Sequence, residues 1–464
     1  MSTLSYGMNI ASNALKTQAA VLNIISHNIA NAETPGYSRQ SVLLSTISND
    51  SGQGIWSKKL LNVGGGVLPQ EISRARFALY DEIYRKENQD LNDFKKTEEL
   101  MLQVELLFSE PSDQGLSSAI NEFFNGWQEV ANDPYNMAAR HSLRGHSIEL
   151  TNRFHHIYSQ LQTIRENIDT EISNIPERIN EITEEIANLN ESIRLAESQN
   201  ASSNNLRDKR DYLVDELSDI VNVRSVEQDN GTYTVLIGGQ VAVEQDYSSK
   251  LSSVTSIDKA LNVRKTIILN EEGNEYAPQH GKMGALIKFR DGNIKEIMSE
   301  LDKIAESIVT SINYEHSYGY GLRGSSDLNF FNPQNKKAFN ISISSDIDDV
   351  SNIAVSGDGT IGDNSNALRV NDIRHAKVVD QRFTISEYYN TMIVNIGVMG
   401  RHAQSSRMNE ELLIAQVDSA RESIKGVNID EELVNMITSQ RVYQSAARII
   451  TVVDELLESI VNLT

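Results

Sequence analysis

Residues 4–37 read LSYGMNIASNALKTQAAVLNIISHNIANAETPGY. Apolar side chains fall at Leu4, Met8, Ala11, Leu15, Leu22, Ile25 and Ile29. Their spacings alternate four and three, broken only at Gln18, so one face of a helix is apolar throughout. The segment Asn31-Ala32-Glu33-Thr34-Pro35-Gly36-Tyr37 then ends the helix, because proline drives Thr34 out of the helical region and Pro-Gly is a turn signal. At the other end of the chain, Val442, Ala446, Ile449, Val453, Leu456, Ile460 and Leu463 repeat the alternation with no polar member. A helix of roughly 25 to 30 residues with so narrow a seam does not bury it alone. Two such helices at opposite termini are expected to pack together or against neighbouring copies.

The chain has 464 residues, enough for about two to four domains. At 39% hydrophobic and 23% charged residues it reads as globular rather than disordered or membranous. A formal net charge of −22 argues against nucleic-acid binding, which needs clustered Lys and Arg. Self-association of so acidic a chain has to come from apolar faces. There is no cysteine, which excludes disulfides, thiolate-bound zinc, iron–sulfur ligation and a cysteine nucleophile. Residues 1–30 carry Lys16 as their one full positive charge and interleave Asn, Gln and Ser, unlike a secretory signal. No apolar run approaches the roughly 18 residues of a spanning helix, so no membrane insertion is expected.

Outward from the termini, residues 37–79 read as strand and loop, with Val63 to Ile72 as an extended arm. Gly64-Gly65-Gly66 reads as a flexible turn ahead of a close backbone approach. Helical periodicity runs through Leu79, Ile83, Leu91, Phe94, Leu100, Val104 and Leu107, restarts at Leu116 through Phe123, Phe124, Trp127 and Val130, and starts again at Tyr135 towards Leu161. Next, Leu161, Ile164, Ile168, Ile172, Ile175, Ile179, Ile182, Ile186, Leu189, Ile193 and Ala196 keep a coiled-coil register. Pro176 is expected to kink that helix or to mark a new first turn. After a polar turn, a helix spans Leu206 to Val221. Period two then takes over at Thr232–Ile237, Val241–Val243 and Lys265–Leu269, with hairpin turns at Asp229-Asn230-Gly231 and Gly238-Gly239. A long helix returns from Gly284 to His316. Residues 317–380 are irregular, and the last helical section begins near Thr384 and breaks at Gly426.

Catalytic and ligand signatures are missing from the sequence. Gly357-Asp358-Gly359-Thr360-Ile361-Gly362 has the bare spacing of a dinucleotide fingerprint. Asp363-Asn364-Ser365-Asn366 follows, turn-like and charged where a phosphate would sit. The adjacent His155 and His156 point about 100° apart on a helix and chelate poorly. Asp208-Lys209-Arg210-Asp211 reads as a solvated or intra-bundle salt-bridge patch. No carboxylate pair is fixed in a cleft. The expectation is a protein that is not an enzyme and has no cofactor and no metal.

Four stretches carry a resemblance. Asn28-Ile29-Ala30-Asn31-Ala32-Glu33-Thr34-Pro35-Gly36-Tyr37-Ser38-Arg39-Gln40 resembles the N-terminal signature of bacterial flagellar rod, hook and hook-associated proteins. Asn204–Leu217, Gly281–Asp291 and Ser423–Glu432 resemble stretches of the flagellar hook-associated protein 1 family, in the right order. Longer members of that family carry an extra outer domain in the region of residues 330–380, which here is short. The resemblance implies a structural subunit at the junction between hook and filament, exported by the flagellar type III apparatus without a cleavable signal peptide, and so extracellular. The implied partners are further copies of the chain, the hook protein, the second hook–filament junction protein and an export chaperone.

The fold expected is mainly α with a small β domain, in a nested architecture. Its parts are a terminal coiled-coil domain (1–36 with 427–464), an elongated helical bundle (37–220 with 282–316 and 381–426) and an outer β-rich insertion (221–281 with 317–380). The seam residues above are the expected assembly interface. Asn31, Thr34, Pro35, Gly36 and Tyr37 are the expected hinge. The alternatives are the second hook–filament junction protein or another axial protein and, from a different class, a cytosolic coiled-coil scaffold or a secreted wall hydrolase.

Overall fold

The computed structural model describes residues 2–47, 65–108, 115–199, 201–258 and 263–462, without the side chains of 2–5, 258, 263 and 460–462. Long helices dominate it, with small β elements between them. The chain divides into two compact units, residues 1–88, 179–250 and 411–464 in the first, and 89–178 and 251–410 in the second. Both units are assembled from separated stretches of the chain. The seam residue Leu463 and the turn glycine Gly64 fall outside the described residues.

In the first unit, α1 (Ser2–Ala30) packs against α10 (Ile429–Asn462). α10 begins beside the end of α1, so the two run antiparallel. A hairpin of β1 (Gln40–Thr46) and β2 (Val67–Arg74) lies along α1, joined to it by Asn13 Nδ2 donating to Gly65 O (3.3 Å) and Thr17 Oγ1 to Val67 O (2.8 Å). The flexible-turn reading of the glycines is corrected at Gly65 and Gly66. They exchange backbone bonds with Ile47, a Cβ on Gly65 would lie 2.9 Å from Ile47 Cγ2, and Gly66 has φ +94°. Close approach, rather than freedom, is what requires glycine there.

The same unit holds α5 (Asn204–Ile220) and an antiparallel sheet of β3 (Val223–Glu227), β4 (Tyr233–Ile237), β5 (Gln240–Glu244) and β6 (Tyr247–Ser248). Gly238 and Gly239, both at positive φ, turn β4 into β5. Asn190, on α4 (Met137–Ser198), locks the sheet by donating to Tyr233 O and Gln245 O and accepting from Tyr233 N. α4 runs unbroken through Pro176 and merges two helices expected to be separate. Proline removes one ladder bond, but Ile172, Ile175 and Ile179 around it are all buried. That packing outweighs the missing bond.

In the second unit, α3 (Leu116–Asn132) buries Phe123, Phe124 and Trp127 against Phe330 and Phe331. α6 (Gly281–Lys288) continues through a π-helical turn (Phe289–Ile294) into α7 (Lys295–Ser317). A second hairpin, β7 (Ser252–Asp258) with β8 (Val263–Leu269), is separate from the four-stranded sheet. Arg290 of the π turn ties it down by donating to Asp169 and to Thr266 O.

Residues 317–380 lack long elements yet are pinned by buried polar side chains. Asn313 exchanges two bonds with the Phe331 backbone, Arg140 donates to the carbonyls of Val350 and Ile353, and His316 bridges Leu328 O and Ala354 N. The stretch after the Gly357–Gly362 loop is corrected from turn to helix at Ser365, where α8 (Ser365–Asp372) begins. The Asp363 carboxylate accepts the Gly357 N–H at 2.6 Å, filling with a charge the place an anion would take. α9 (Ile385–Lys425) starts on a reciprocal Thr384–Glu387 cap and stops at Gly426.

Candidate functional site

The terminal helices meet the rest of their unit at a polar root. Its first part is the turn after α1. Asn31, Thr34 and Tyr37 hold it by successive backbone bonds, and Asn31 Nδ2 reaches back to His27 O at 2.8 Å. Gly36 sits at φ +78°, and a Cβ there would come within 2.9 Å of Tyr212 Cβ on α5. Pro35 is exposed.

Asn28 is the centre of the root, at 1% exposure. Its Oδ1 accepts from Tyr37 Oη (2.7 Å) and Gln40 N (2.9 Å), and its Nδ2 donates to Gln40 O (2.9 Å) and Glu432 Oε2 (3.1 Å). Both lone pairs and both hydrogens are thus used. Arg39 completes the link to α10, with Nε donating to Glu432 Oε1 (2.8 Å) and Nη2 to Glu431 Oε1 (3.1 Å). Burial, followed by the charges of Asp208 and Glu432, pushes the Tyr37 phenol far above its ordinary range. It therefore stays a donor.

Below this lies a lattice of arginines and aspartates from three separated stretches. Arg74 pairs with Asp208 and Asp211, Arg76 with Asp81 and Asp211, Arg85 with Asp211 and Asp215, and Arg421 with Asp81 and Asp215. Asp208 also accepts from Ser38 N at 3.1 Å, joining the lattice to the turn. Burial alone would raise the Asp211 carboxyl, but Arg76, Arg85 and Arg74 hold it well below the usual carboxylate range. Buried charge of this kind contributes little net stability but fixes geometry, since removing any one partner strands another. The Asp208-Lys209-Arg210-Asp211 cluster is therefore an internal salt-bridge patch and not a solvated one. Lys209 alone points outward, to Glu185.

The seam residues divide. Ala11 and Ile25 on α1, and Ala446 (5% exposed) and Val453 (8%) on α10, are buried, and Leu15, Leu22 and Ile29 are half-buried. Met8 on α1 is exposed, as are Val442 (42%), Ile449 (51%) and Leu456 (48%) on α10. Leu4 and Ile460 belong to the helices, their side chains beyond what is described. On α10 the buried series is Glu432, Ser439, Ala446 and Val453, one per heptad. Four of the eleven seam residues with described side chains, three of them on α10, are thus exposed. Sequence periodicity located the seam but not Asn28, Gln40, Arg39 or Glu432. These stand inside the motif stretches, where a polar residue on the edge of an apolar helix face was the available signal.

Among the described residues no group of His, Asp or Glu is placed to hold a metal ion, and no helix is long and apolar enough to cross a membrane. The arrangement is suited to holding two helices in register, with one face open.

Comparisons with known proteins match three flagellar family models. Residues 101–331 match the flagellar hook-associated protein FlgK helical domain. Residues 423–463 match the flagellar basal body rod FlgEFG protein C-terminal family, and residues 8–37 the flagella basal body rod protein family. Flagellar hook-associated protein 1 of Bacillus subtilis (strain 168) is 27% identical over 501 aligned positions, covering 100% of this chain and 99% of that protein. The protein of the same name from Salmonella typhimurium is 23% identical over 557 positions, covering 98% and 99%. As 557 positions exceed the 464 residues here, that relative carries residues with no counterpart in this chain. In fold, the chain is similar to the flagellar hook junction protein FlgK from Burkholderia pseudomallei, with a TM-score of 0.64 at 16% identity, covering 74% of this chain and 100% of that one.

Proposed function

The chain belongs to the flagellar hook-associated protein 1 family, structural proteins of the flagellar axis, and on that premise we propose that it builds the junction between hook and filament. The observation that carries this reading is the rooted terminal helix pair with Met8, Val442, Ile449 and Leu456 of its apolar seam exposed. Residues 1–36 with 427–464 form the inner, self-assembling layer in this reading, and the helical bundle and β-rich parts stand outside it. The chain leaves the cell unfolded through the flagellar type III apparatus with the help of an export chaperone. It then assembles on the hook protein, and the second hook–filament junction protein follows.

Folding of the terminal helices is coupled to assembly. A pair that leaves Val442, Ile449 and Leu456 in water recovers too little apolar burial to offset about 1 to 2 kcal/mol of chain entropy per ordered residue. Neighbouring copies supply the missing burial.

A strain lacking this chain tests the proposal. It is expected to carry hooks without filaments and to release filament protein into the medium. The wild-type chain should restore filaments, and a Leu22→Asp, Ile25→Asp chain should not, although its remaining domains stay folded. Normal filaments in the deletion strain would refute the junction assignment.

A further inference from the structure

His316 stands in the last turn of α7, fully buried, and backbone takes both of its ring nitrogens. Leu328 O can only accept, so Nδ1 carries a hydrogen and donates it at 2.7 Å. Ala354 N can only donate, so Nε2 is bare and accepts at 3.0 Å. The imidazole is therefore neutral and held in one tautomer, clipping two loop stretches to the end of a helix. Trp127 of α3 and Phe330 pack edge to face with the ring, at centroid distances of 6.2 and 5.5 Å. Two charged groups face it, the Arg140 guanidinium of α4 and the Asp346 carboxylate of the short turn at Ser345–Asp348. Arg140 is itself 1% exposed and is held by the carbonyls of Pro134, Val350 and Ile353.

A second proton has one place to go. On Nε2 it would point at the Ala354 N–H, donor against donor, and leave both buried hydrogens without an acceptor. It would also set a second cation in an interior that already holds Arg140. We propose that His316 is a proton-operated latch: protonation at Nε2 drives off the Ala354 N–H and raises the population of a form in which residues 317–356 are released from the ends of α3, α4 and α7, while those helices stay folded. The division follows from what holds each part. The helices keep their own hydrogen-bond ladders, whereas 317–356 has no long element and depends on the side-chain pins Asn313, Arg140 and His316. Release would uncover Trp127, Phe330 and Phe331, all now fully buried.

The direction of the pH effect follows from the two forms. A released imidazole takes up its proton near 6.5, whereas burial holds that of the closed form down to about 4. The released fraction therefore rises as pH falls through this range, by about 50-fold between pH 7 and pH 4.5. Hydrogen exchange of the dilute full-length chain, read by mass spectrometry and corrected for the intrinsic pH dependence of amide exchange, measures that fraction. The latch lies wholly within the second unit, so the test does not depend on assembly. Amides at 328–331 and 353–356 are expected to exchange faster than those of α4 between Leu161 and Ile172 at every pH, and to lose about 50-fold in protection from pH 7 to pH 4.5. His316→Gln has no second proton to take. Whatever the absolute protection of its 317–356 stretch, that protection should change by no more than about threefold over the same range.

Three results would overturn the latch. One is a wild-type stretch whose protection does not depend on pH. Another is exchange of 317–356 only as fast as that of α3, α4 and α7, which would mean that it opens only when the whole unit unfolds. The third is an acid-driven loss in His316→Gln equal to that of the wild type. The first two are read on the wild-type chain, so the test stands even if the variant folds poorly.

Discussion

A single carboxamide joins the two ends of the chain. Asn28 touches Tyr37, Gln40 and Glu432, which lie up to 404 positions away in sequence. Asn28→Asp keeps the acceptor bonds but turns the donor to Glu432 into a second carboxylate about hydrogen-bond distance away. Because the helix that carries Asn28 is proposed to order on assembly, the exchange is expected to cost about 2 to 4 kcal/mol in urea dissociation of the assembled chain and little in the dilute monomer, with Asn28→Ala somewhat milder. Acid should weaken both units. Burial pushes the His316 imidazole down to about 4, against the lesser raising effect of its bond to Leu328 O. The unfolded chain takes up that proton near 6.5. Stability present above about pH 6.5 is therefore lost as pH falls towards 4, by about 3 kcal/mol from this residue. Asp211, held low by its arginines, loses its contribution in the same direction at still lower pH. Urea midpoints measured between pH 7 and pH 4 should fall, and His316→Gln should flatten the upper part of that fall. None of these pairings was legible in the sequence. Arg74 and Asp208, or Asp81 and Arg421, are brought together only by the fold, and a local charge cluster reads alike whether buried or solvated.

At the scale of elements, α10 separates stability from assembly. Val453 is 8% exposed, whereas Ile449, one turn earlier on the same stripe, is 51% exposed. Val453→Ala should cost about 1 to 2 kcal/mol of whatever protection the terminal pair has in the monomer. Ile449→Asp should leave monomer stability within about 0.5 kcal/mol and still fail to restore filaments when it replaces the wild-type chain in the deletion strain. Helices were the readable elements, because a period of 3.6 persists over many turns in α1, α2 (Ala78–Phe108), α4 and α7. The exceptions have local causes. α8 is eight residues long and buries only Asn366, Ala367 and Val370, too few for a period. β3 and β7, reading Val-Arg-Ser-Val-Glu and Ser-Ser-Val-Thr-Ser-Ile-Asp, carry few apolar side chains and owe their extended form to the strands they pair with. The continuity of α4 through Pro176 came from its packed isoleucines, which outweigh a local breaker.

For the whole molecule, the sequence order of helix, bundle, strands and closing helix suggests a nested chain, and the terminal helices pair antiparallel. What local pattern could not reveal was that Ala446 and Val453 of the α10 seam are spent inside the chain while Val442, Ile449 and Leu456 are left open. That division depends on which side of α10 the polar root presents to α1, and the root is made of long-range contacts. The open residues are also why the terminal pair is expected to need its neighbours. Hydrogen exchange, read by mass spectrometry on the dilute full-length chain and on assembled polymer, measures this most directly. The expected result is rapid exchange of residues 4–30 and 442–463 in the monomer and strong protection of both in the polymer, with the helical bundle protected in each. Strong protection of both terminal segments in the dilute monomer would contradict it.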